Sequence, residues 1–343
     1  MRSRPPKEVH DMTTFRAHMV EQDGNAHRAG VRELTLDQLP EGEVLIRVRY
    51  SSVNYKDGIC SQPASRLVTR YPMVLGIDLA GEVVESRDAR FRPGDPVICT
   101  SYDLGTGHFG GFSEYARVPA DWVVPLPDGL SLRDAMVLGT AGFTAALSLY
   151  RMEQNGVSPA MGAMLVTGAT GGVGATGIAI AKRAGYRVVA STRKDEAAEW
   201  LKTLGADDVV RPDALLLQEG ESYLNVKTRY AGVIDPVSGK YVPHLLQRLE
   251  YGGVIAISGY TGGPDFTASV FPFLRRQAAI IGIDSVWLEM ETRREIWRRL
   301  AGPWKPSDEA LRQIGHDITL DDLDSALKQI LAGRMQGRAV VNL

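Results

Sequence analysis

Residues 166–174 read Val166-Thr-Gly-Ala-Thr-Gly-Gly-Val-Gly174. Ala163-Met-Leu-Val-Thr167 leads into them, a short apolar run with the pattern of a strand buried on both faces. Gly172 to Arg183 follows and reads as a helix. Glycines 168, 171 and 174 stand three apart at this junction. One permits the tight turn, one admits a pyrophosphate close to backbone, and one lets helix and strand pack closely. The helix start offers free N–H groups and the positive end of its dipole to phosphate. Glycines also serve plain turns, but strand–turn–helix is the context that dinucleotide binding requires. Thr170, Gly171, Gly172, Val173 and Gly174 are the candidate contacts.

The next strand separates the two nicotinamide cofactors. NAD sites place an acid at its end, about 20 residues on, for the ribose hydroxyls. Here Tyr186-Arg-Val-Val-Ala190 is the strand, and Ser191-Thr-Arg-Lys194 follows it. Arg193 and Lys194 suit a 2′-phosphate, with Ser191 and Thr192 as hydrogen-bonding neighbours. This points to NADPH. The competing reading is a solvated basic turn partnered by Asp195 and Glu196.

Working outward, strands and helices alternate. Ala197 to Leu204 reads as a helix stopped by Gly205, Asp208-Val-Val210 as a strand start, and Ala231-Gly-Val-Ile234 as a strand. A helix around 243–249, then Gly253-Val-Ile-Ala-Ile257 and Ala279-Ile-Ile-Gly-Ile283, continue the pattern. The fold class is α/β, with a doubly wound parallel sheet covered on both faces. Thr14 to Val124 is instead β-rich, with Val44–Tyr50, Gly81–Val84 and Asp95–Ile98 as strands and turn signals at 93–94 and 126–129. Ser131 is the expected N-cap of the helix that follows. From Trp287 the chain is helical and charged, and its last residues, 339–343, offer a strand to the first domain. A length of 343 residues suits two domains. The expected divisions are a flexible tail 1–13, a β-rich domain 14–130, a nucleotide-binding domain 131–286, and a return to the first domain over 287–343.

Composition narrows function. The net charge of −2, from 39 basic and 41 acidic residues, gives no global field for nucleic acid or an anionic membrane. Met1–Asp11 is polar and not a signal peptide, which points to the cytoplasm. The uncharged run 156–181 is long enough to raise a membrane question, but glycines interrupt it and it fits the strand, turn and helix above. Cys60 and Cys99 read as reduced structural thiols and cannot make a four-cysteine zinc site. The six histidines (10, 18, 27, 108, 244 and 316) show no ligand spacing.

From Thr14 onward the chain resembles the medium-chain dehydrogenase/reductases, and within them the acrylyl-CoA reductase branch, the YhdH-type quinone oxidoreductases. The matching stretches are Ser51-Ser-Val-Asn-Tyr-Lys-Asp57, Gly76-Ile-Asp-Leu-Ala-Gly81, residues 110–118, residues 121–127, Gly139-Thr-Ala-Gly-Phe-Thr144, the glycine turn and Gly282-Ile-Asp-Ser-Val286. The resemblance implies a Rossmann domain joined to a β-rich GroES-like catalytic domain. It also implies a homodimer, for which the apolar edge at Ile280-Ile281 is the candidate surface; burial within one subunit explains that edge equally well. Zinc-dependent relatives carry Cys where this chain has Asn54, and Gly-His-Glu where it has Gly76-Ile77-Asp78. Asn and Ile do not replace Cys and His as zinc ligands, so no metal is expected.

Without a Lewis acid, the chemistry that suits such a site is hydride addition to a double bond conjugated with a carbonyl. The resemblance implies NADPH-dependent reduction of acrylyl-CoA to propanoyl-CoA, with reduction of quinones or other α,β-unsaturated carbonyls as the alternative. A non-catalytic NADPH-binding redox sensor is the rival of another class. The same likeness places Asn54, Tyr55 and Asp57 beside the nicotinamide, with Tyr55 touching cofactor, bonding the enolate oxygen or relaying a proton and the other two positioning ribose or loops; a buried structural turn is the competing reading, for Asp57 included. It places Ser285 and Arg338 near the cofactor and His108 near the substrate cleft. A surface loop explains His108 as well. Ser258 follows a strand's carboxyl end, where such sheets bind ligands.

Overall fold

The computed structural model describes residues 13–24, 26–222 and 224–343. The expected tail, 1–13, therefore lies outside them except for residue 13. The first part holds β1 (Thr14–Asp23), β2 (Ala26–Thr35), β3 (Val44–Ser52), α1 (Tyr55–Cys60), β4 (Met73–Val74), β5 (Asp78–Ser86), β6 (Pro96–Thr100), β7 (Tyr115–Val118) and β8 (Val123–Pro125). Then come α2 (Leu132–Gln154), β9 (Ala163–Val166), α3 (Gly172–Arg183), β10 (Val188–Ser191), α4 (Ala198–Thr203), β11 (Asp208–Val210), β12 (Tyr230–Asp235), α5 (Val242–Arg248), β13 (Leu249–Ile257), α6 (Phe271–Arg276) and β14 (Ala279–Gly282). The last part holds α7 (Met290–Ala301), α8 (Asp308–Ile314), β15 (Gly315–Ile318), α9 (Leu323–Leu331) and β16 (Arg338–Asn342).

The middle strands form one parallel sheet in the order β11-β10-β9-β12-β13-β14. That order runs outward in both directions from β9, as in a doubly wound dinucleotide-binding sheet. Both faces are covered, which is why β9 and β12 are buried along their whole length and carry no charge before Asp235 closes β12. α2 and α3 pack on one face. Ser131 opens α2 by accepting from the Asp134 N–H (3.0 Å), and the amphipathic α7 lays Ile296, Trp297 and Leu300 against it. Trp297 lies 5.7 Å from Phe143, ring centre to ring centre. Burying each such side chain contributes about 2–3 kcal/mol.

The second large sheet runs β15-β16-β3-β5-β6-β8, with β7 also on β3. β16 pairs antiparallel with β3, Val340 opposite Ser52. This pairing brings the end of the chain beside the loop that leaves β3, and it puts Arg338 at the junction of the two sheets. A smaller sheet, β2-β1-β4, covers one side. Among the described residues no helix is long and apolar enough to cross a membrane.

Candidate active site

The order of the parallel strands reverses between β9 and β12, so a crevice opens at the carboxyl end of β9, where the glycine turn lies. Gly168 has φ +55°, a left-handed conformation that favours glycine. A Cβ on Gly174 would fall 2.3 Å from the Gly168 carbonyl oxygen, so helix and turn touch only because it is absent. At Gly171 the nearest atom to such a Cβ is 3.4 Å away, leaving backbone open to a ligand. Gly171 caps α3 and no side chain takes its first N–H groups. The Asp235 carboxylate fastens the floor of the crevice. Its Oδ1 accepts from the Thr167 hydroxyl (2.5 Å) and the N–H groups of Val237 and Ser238 (3.0 and 3.1 Å). The Ser258 hydroxyl, just past β13, is buried without a partner among the described residues. An uncapped helix start and an orphaned hydroxyl fit a dinucleotide, whose pyrophosphate and ribose hydroxyls would satisfy them.

At the tip of β10, Ser191 and Thr192 are buried, and Thr192 Oγ1 accepts from the Lys194 N–H (3.0 Å). Lys194 Nζ reaches the Arg334 carbonyl at 3.5 Å. Arg193 is exposed and pairs with no acid among the described residues. Asp195, its competing partner in the sequence, is taken by Arg211 at 2.5 Å.

Asn54 caps α1, and its turn is tied into a buried polar cluster. Its N–H donates to Asp57 Oδ2 (2.8 Å), while Asp57 Oδ1 accepts from the Ile77 N–H (3.0 Å). Asp57 is fully buried; burial first and neighbouring Asp78 second push its carboxyl up to about 7, against the hydrogen bonds it accepts. Its geometry is that of a brace between two loops. Asn54 Nδ2 donates to Asp78 Oδ2 (2.8 Å), and Asn54 Oδ1 accepts from Arg338 Nη1 (3.0 Å). Tyr55, next in the chain, is 45% exposed.

Arg338 is expected from resemblance to sit near the cofactor, and its guanidinium is engaged by protein acceptors. Nε donates to the Val137 carbonyl, Nη1 to the Val53 carbonyl and Asn54, and Nη2 to Ser52 Oγ (2.6 Å) and Asp78 Oδ2 (3.5 Å). All five N–H groups of its guanidinium are occupied, so none is left for a ligand. Its aliphatic stem instead lies against the first turn of α3 at Gly172, and the Gly337 N–H donates to the Thr170 carbonyl (2.9 Å). The glycine turn and the Asn54 turn are thus joined through one buried side chain.

Asp78 is the hub of this cluster and was not singled out from sequence. Besides Ser52, Asn54 and Arg338 it accepts from the Thr140 N–H (2.9 Å) and hydroxyl (2.5 Å). The signal was present: an acid flanked by apolar residues on a strand needs buried partners. The Thr144 hydroxyl continues the chain: it donates to the Thr140 carbonyl (2.7 Å) and lies 2.8 Å from Ser285 Oγ, whose proton it is free to accept. Ser285 is therefore linked to the Asn54 turn. His108 is not brought to them. It is buried, with Nε2 2.7 Å from the Arg117 carbonyl and its ring edge-on to Trp122 at 5.3 Å. Burial pushes its pKa down. It braces its loop and presents no free nitrogen to a substrate through Nε2.

Among the described residues no three His, Cys, Asp or Glu side chains stand close enough to hold a metal ion. The chain matches the family models for the alcohol dehydrogenase GroES-like domain over residues 40–128 and the zinc-binding dehydrogenase over residues 172–301. Bacillus subtilis YhfP, provisionally named a quinone oxidoreductase, is 47% identical over 96% of this chain and 99% of its own. The acrylyl-CoA reductase AcuI of Ruegeria pomeroyi is 42% identical over 96% of this chain and 99% of its own. The crystal structure of yhfP with NAD bound superposes with a TM-score of 0.92, at 46% identity, covering 96% of this chain and all of that one. The Salmonella enterica yhdH oxidoreductase in complex with NADP gives a TM-score of 0.89 at 38% identity, covering 96% and 99%.

Proposed function

The chain belongs to the medium-chain dehydrogenase/reductase superfamily, among the acrylyl-CoA reductases and YhdH-type quinone oxidoreductases, and from that premise we propose that it reduces acrylyl-CoA to propanoyl-CoA with NADPH. The carrying observation is the Asn54 amide, which stands where zinc-dependent relatives hold a cysteine and is committed on both sides, to Arg338 and to Asp78. Ile77 beside it is apolar. This donor set suits an acceptor whose conjugated carbonyl already makes the β-carbon electrophilic. Bound in the crevice, NADPH supplies the hydride for that carbon.

The glycine turn holds the pyrophosphate through Thr170–Gly174, and Ser191, Thr192, Arg193 and Lys194 hold the 2′-phosphate. Related structures carry both NAD and NADP, so the unpaired Arg193 is what favours the phosphorylated form here. Ser258 and Ser285 face the ribose and nicotinamide. Asn54, Asp57 and Arg338 fix the turn on which Tyr55 stands, and the Tyr55 hydroxyl contacts the cofactor or the enolate oxygen. The enzyme is zinc-free, works in the cytoplasm, and binds neither nucleic acid nor membrane. Two copies pair along β14, an end strand of the parallel sheet.

A quinone reductase is the second reading, favoured by the name of the Bacillus subtilis relative. Initial rates of NADPH oxidation, after exhaustive treatment with a chelator, decide among the readings. The expected result is turnover with acrylyl-CoA that the chelator does not diminish. Turnover with a quinone alone moves the assignment to the second reading. Saturable NADPH binding with no acceptor reduced assigns a sensor.

A further inference from the structure

Arg293 lies wholly buried in α7, and no carboxylate among the described residues pairs with it. Its Nη1 donates to the carbonyl and hydroxyl of Thr100 (3.3 and 3.2 Å), at the end of β6. Its Nη2 donates to the carbonyls of Ser285 and Val286 (3.0 Å each), just beyond β14. Nε has no acceptor among the described residues. A buried cation without a counter-charge is expensive, and this one ties the β6 end of the second large sheet to the exit of the nucleotide-binding sheet.

The same guanidinium sits over the ring of Tyr102, 4.5 Å from its centre, and over Phe143 at 5.0 Å. Ser101 and Tyr102 are consecutive non-glycine residues at φ +69° and +51°, a strained pair of the kind that persists only when its surroundings hold it. Tyr102 stacks on Trp122 (5.4 Å, 5° between planes) and meets Trp287 edge-on (5.9 Å, 78°). Trp287 is 62% exposed. It stands on the carboxyl side of the parallel sheet, two residues from Ser285, where ligands of such sheets bind. A large aromatic held against Tyr102 and still mostly exposed is a stacking surface.

We propose that Trp287, backed by Tyr102 and held in place by Arg293, is a platform on which a flat conjugated ring of the acceptor stacks. Two acceptors bring such a ring: a quinone itself, or a coenzyme A thioester through its adenine. The platform rests on the acceptor reading above, and the two fail differently. A chain that oxidises NADPH with neither acceptor fails that reading; one that does so indifferently to Trp287 fails only this.

The test compares the full-length chain with Trp287→Ala and Trp287→Phe, using acrylyl-CoA, acrylyl-pantetheine, which lacks adenine, and a soluble naphthoquinone. Trp287→Ala is expected to raise KM for a ring-bearing acceptor about tenfold with kcat little changed. Trp287→Phe restores most of the loss, and acrylyl-pantetheine and the NADPH Kd are unaffected. A rise for acrylyl-CoA identifies adenine as the ring; a rise for the naphthoquinone identifies the quinone. Unchanged KM for both, or an equal rise for acrylyl-pantetheine, overturns the platform. Arg293→Lys, or Arg293→Gln if the lysine variant does not fold, is expected to raise the same KM more than that for acrylyl-pantetheine. A lowered Tm with KM unmoved overturns its positioning role.

Discussion

Side chains that look alike in sequence do opposite work in this protein. Arg338 and Arg193 are both cations read as cofactor contacts, yet one is consumed by protein acceptors and the other stands bare at the tip of β10. Sequence showed the chemistry of each but not its neighbours. Arg338 bonds Ser52 across 286 positions of chain, a pairing that only the β16–β3 ladder creates. The proposed selectivity for phosphate therefore rests on Arg193 and Lys194. A charge-assisted hydrogen bond contributes about 1.5–3 kcal/mol. Replacing both residues with alanine is expected to weaken NADPH binding by about 100-fold or more and to leave NADH within about twofold, read by fluorescence titration. Equal weakening of both coenzymes would return the pair to a solvated turn.

At the scale of elements, the glycine turn and its flanking strand and helix were legible because their periodicity and their glycines are local. α2 was not legible in full. Its N-cap at Ser131 is visible in sequence, but Gly139 breaks the helix with φ +50° and ψ −157°, a region that only glycine enters without strain. A Cβ there would lie 2.6 Å from each of Arg338 Nη2, Asp78 Oδ2 and Ser52 Oγ. The kink exists so that the buried cluster can close against backbone. Gly139→Ala is expected to cost at least about 3 kcal/mol, seen as a large fall in denaturant midpoint, together with loss of turnover. A variant as stable and as active as the parent would show that the cluster tolerates a side chain at this point.

On the scale of the whole molecule, the alternation of strands and helices announced a doubly wound sheet, while the coupling of two sheets through Asp78, Arg338 and Arg293 was invisible. Such coupling depends on the return of the chain in β16 and α7, and no local pattern encodes it. The same sheet has an end strand, β14, with half-buried Ile280 and Ile281, and exposed Val270 and Leu274 lie nearby. Pairing of two such edges is expected to give a sedimenting species of twice the 37.4 kDa chain mass, and Ile281→Lys to dissociate it. A monomer at micromolar concentration would remove the edge from consideration. The proposed reaction passes a hydride from the reduced coenzyme to the β-carbon of an enoyl thioester. NADPH deuterated at the transferring position of its nicotinamide, turned over with acrylyl-CoA, tests it most directly by mass spectrometry of the product. One deuterium on the β-carbon of propanoyl-CoA is the expected result; unlabelled product, or label on the α-carbon, would contradict hydride transfer to that carbon.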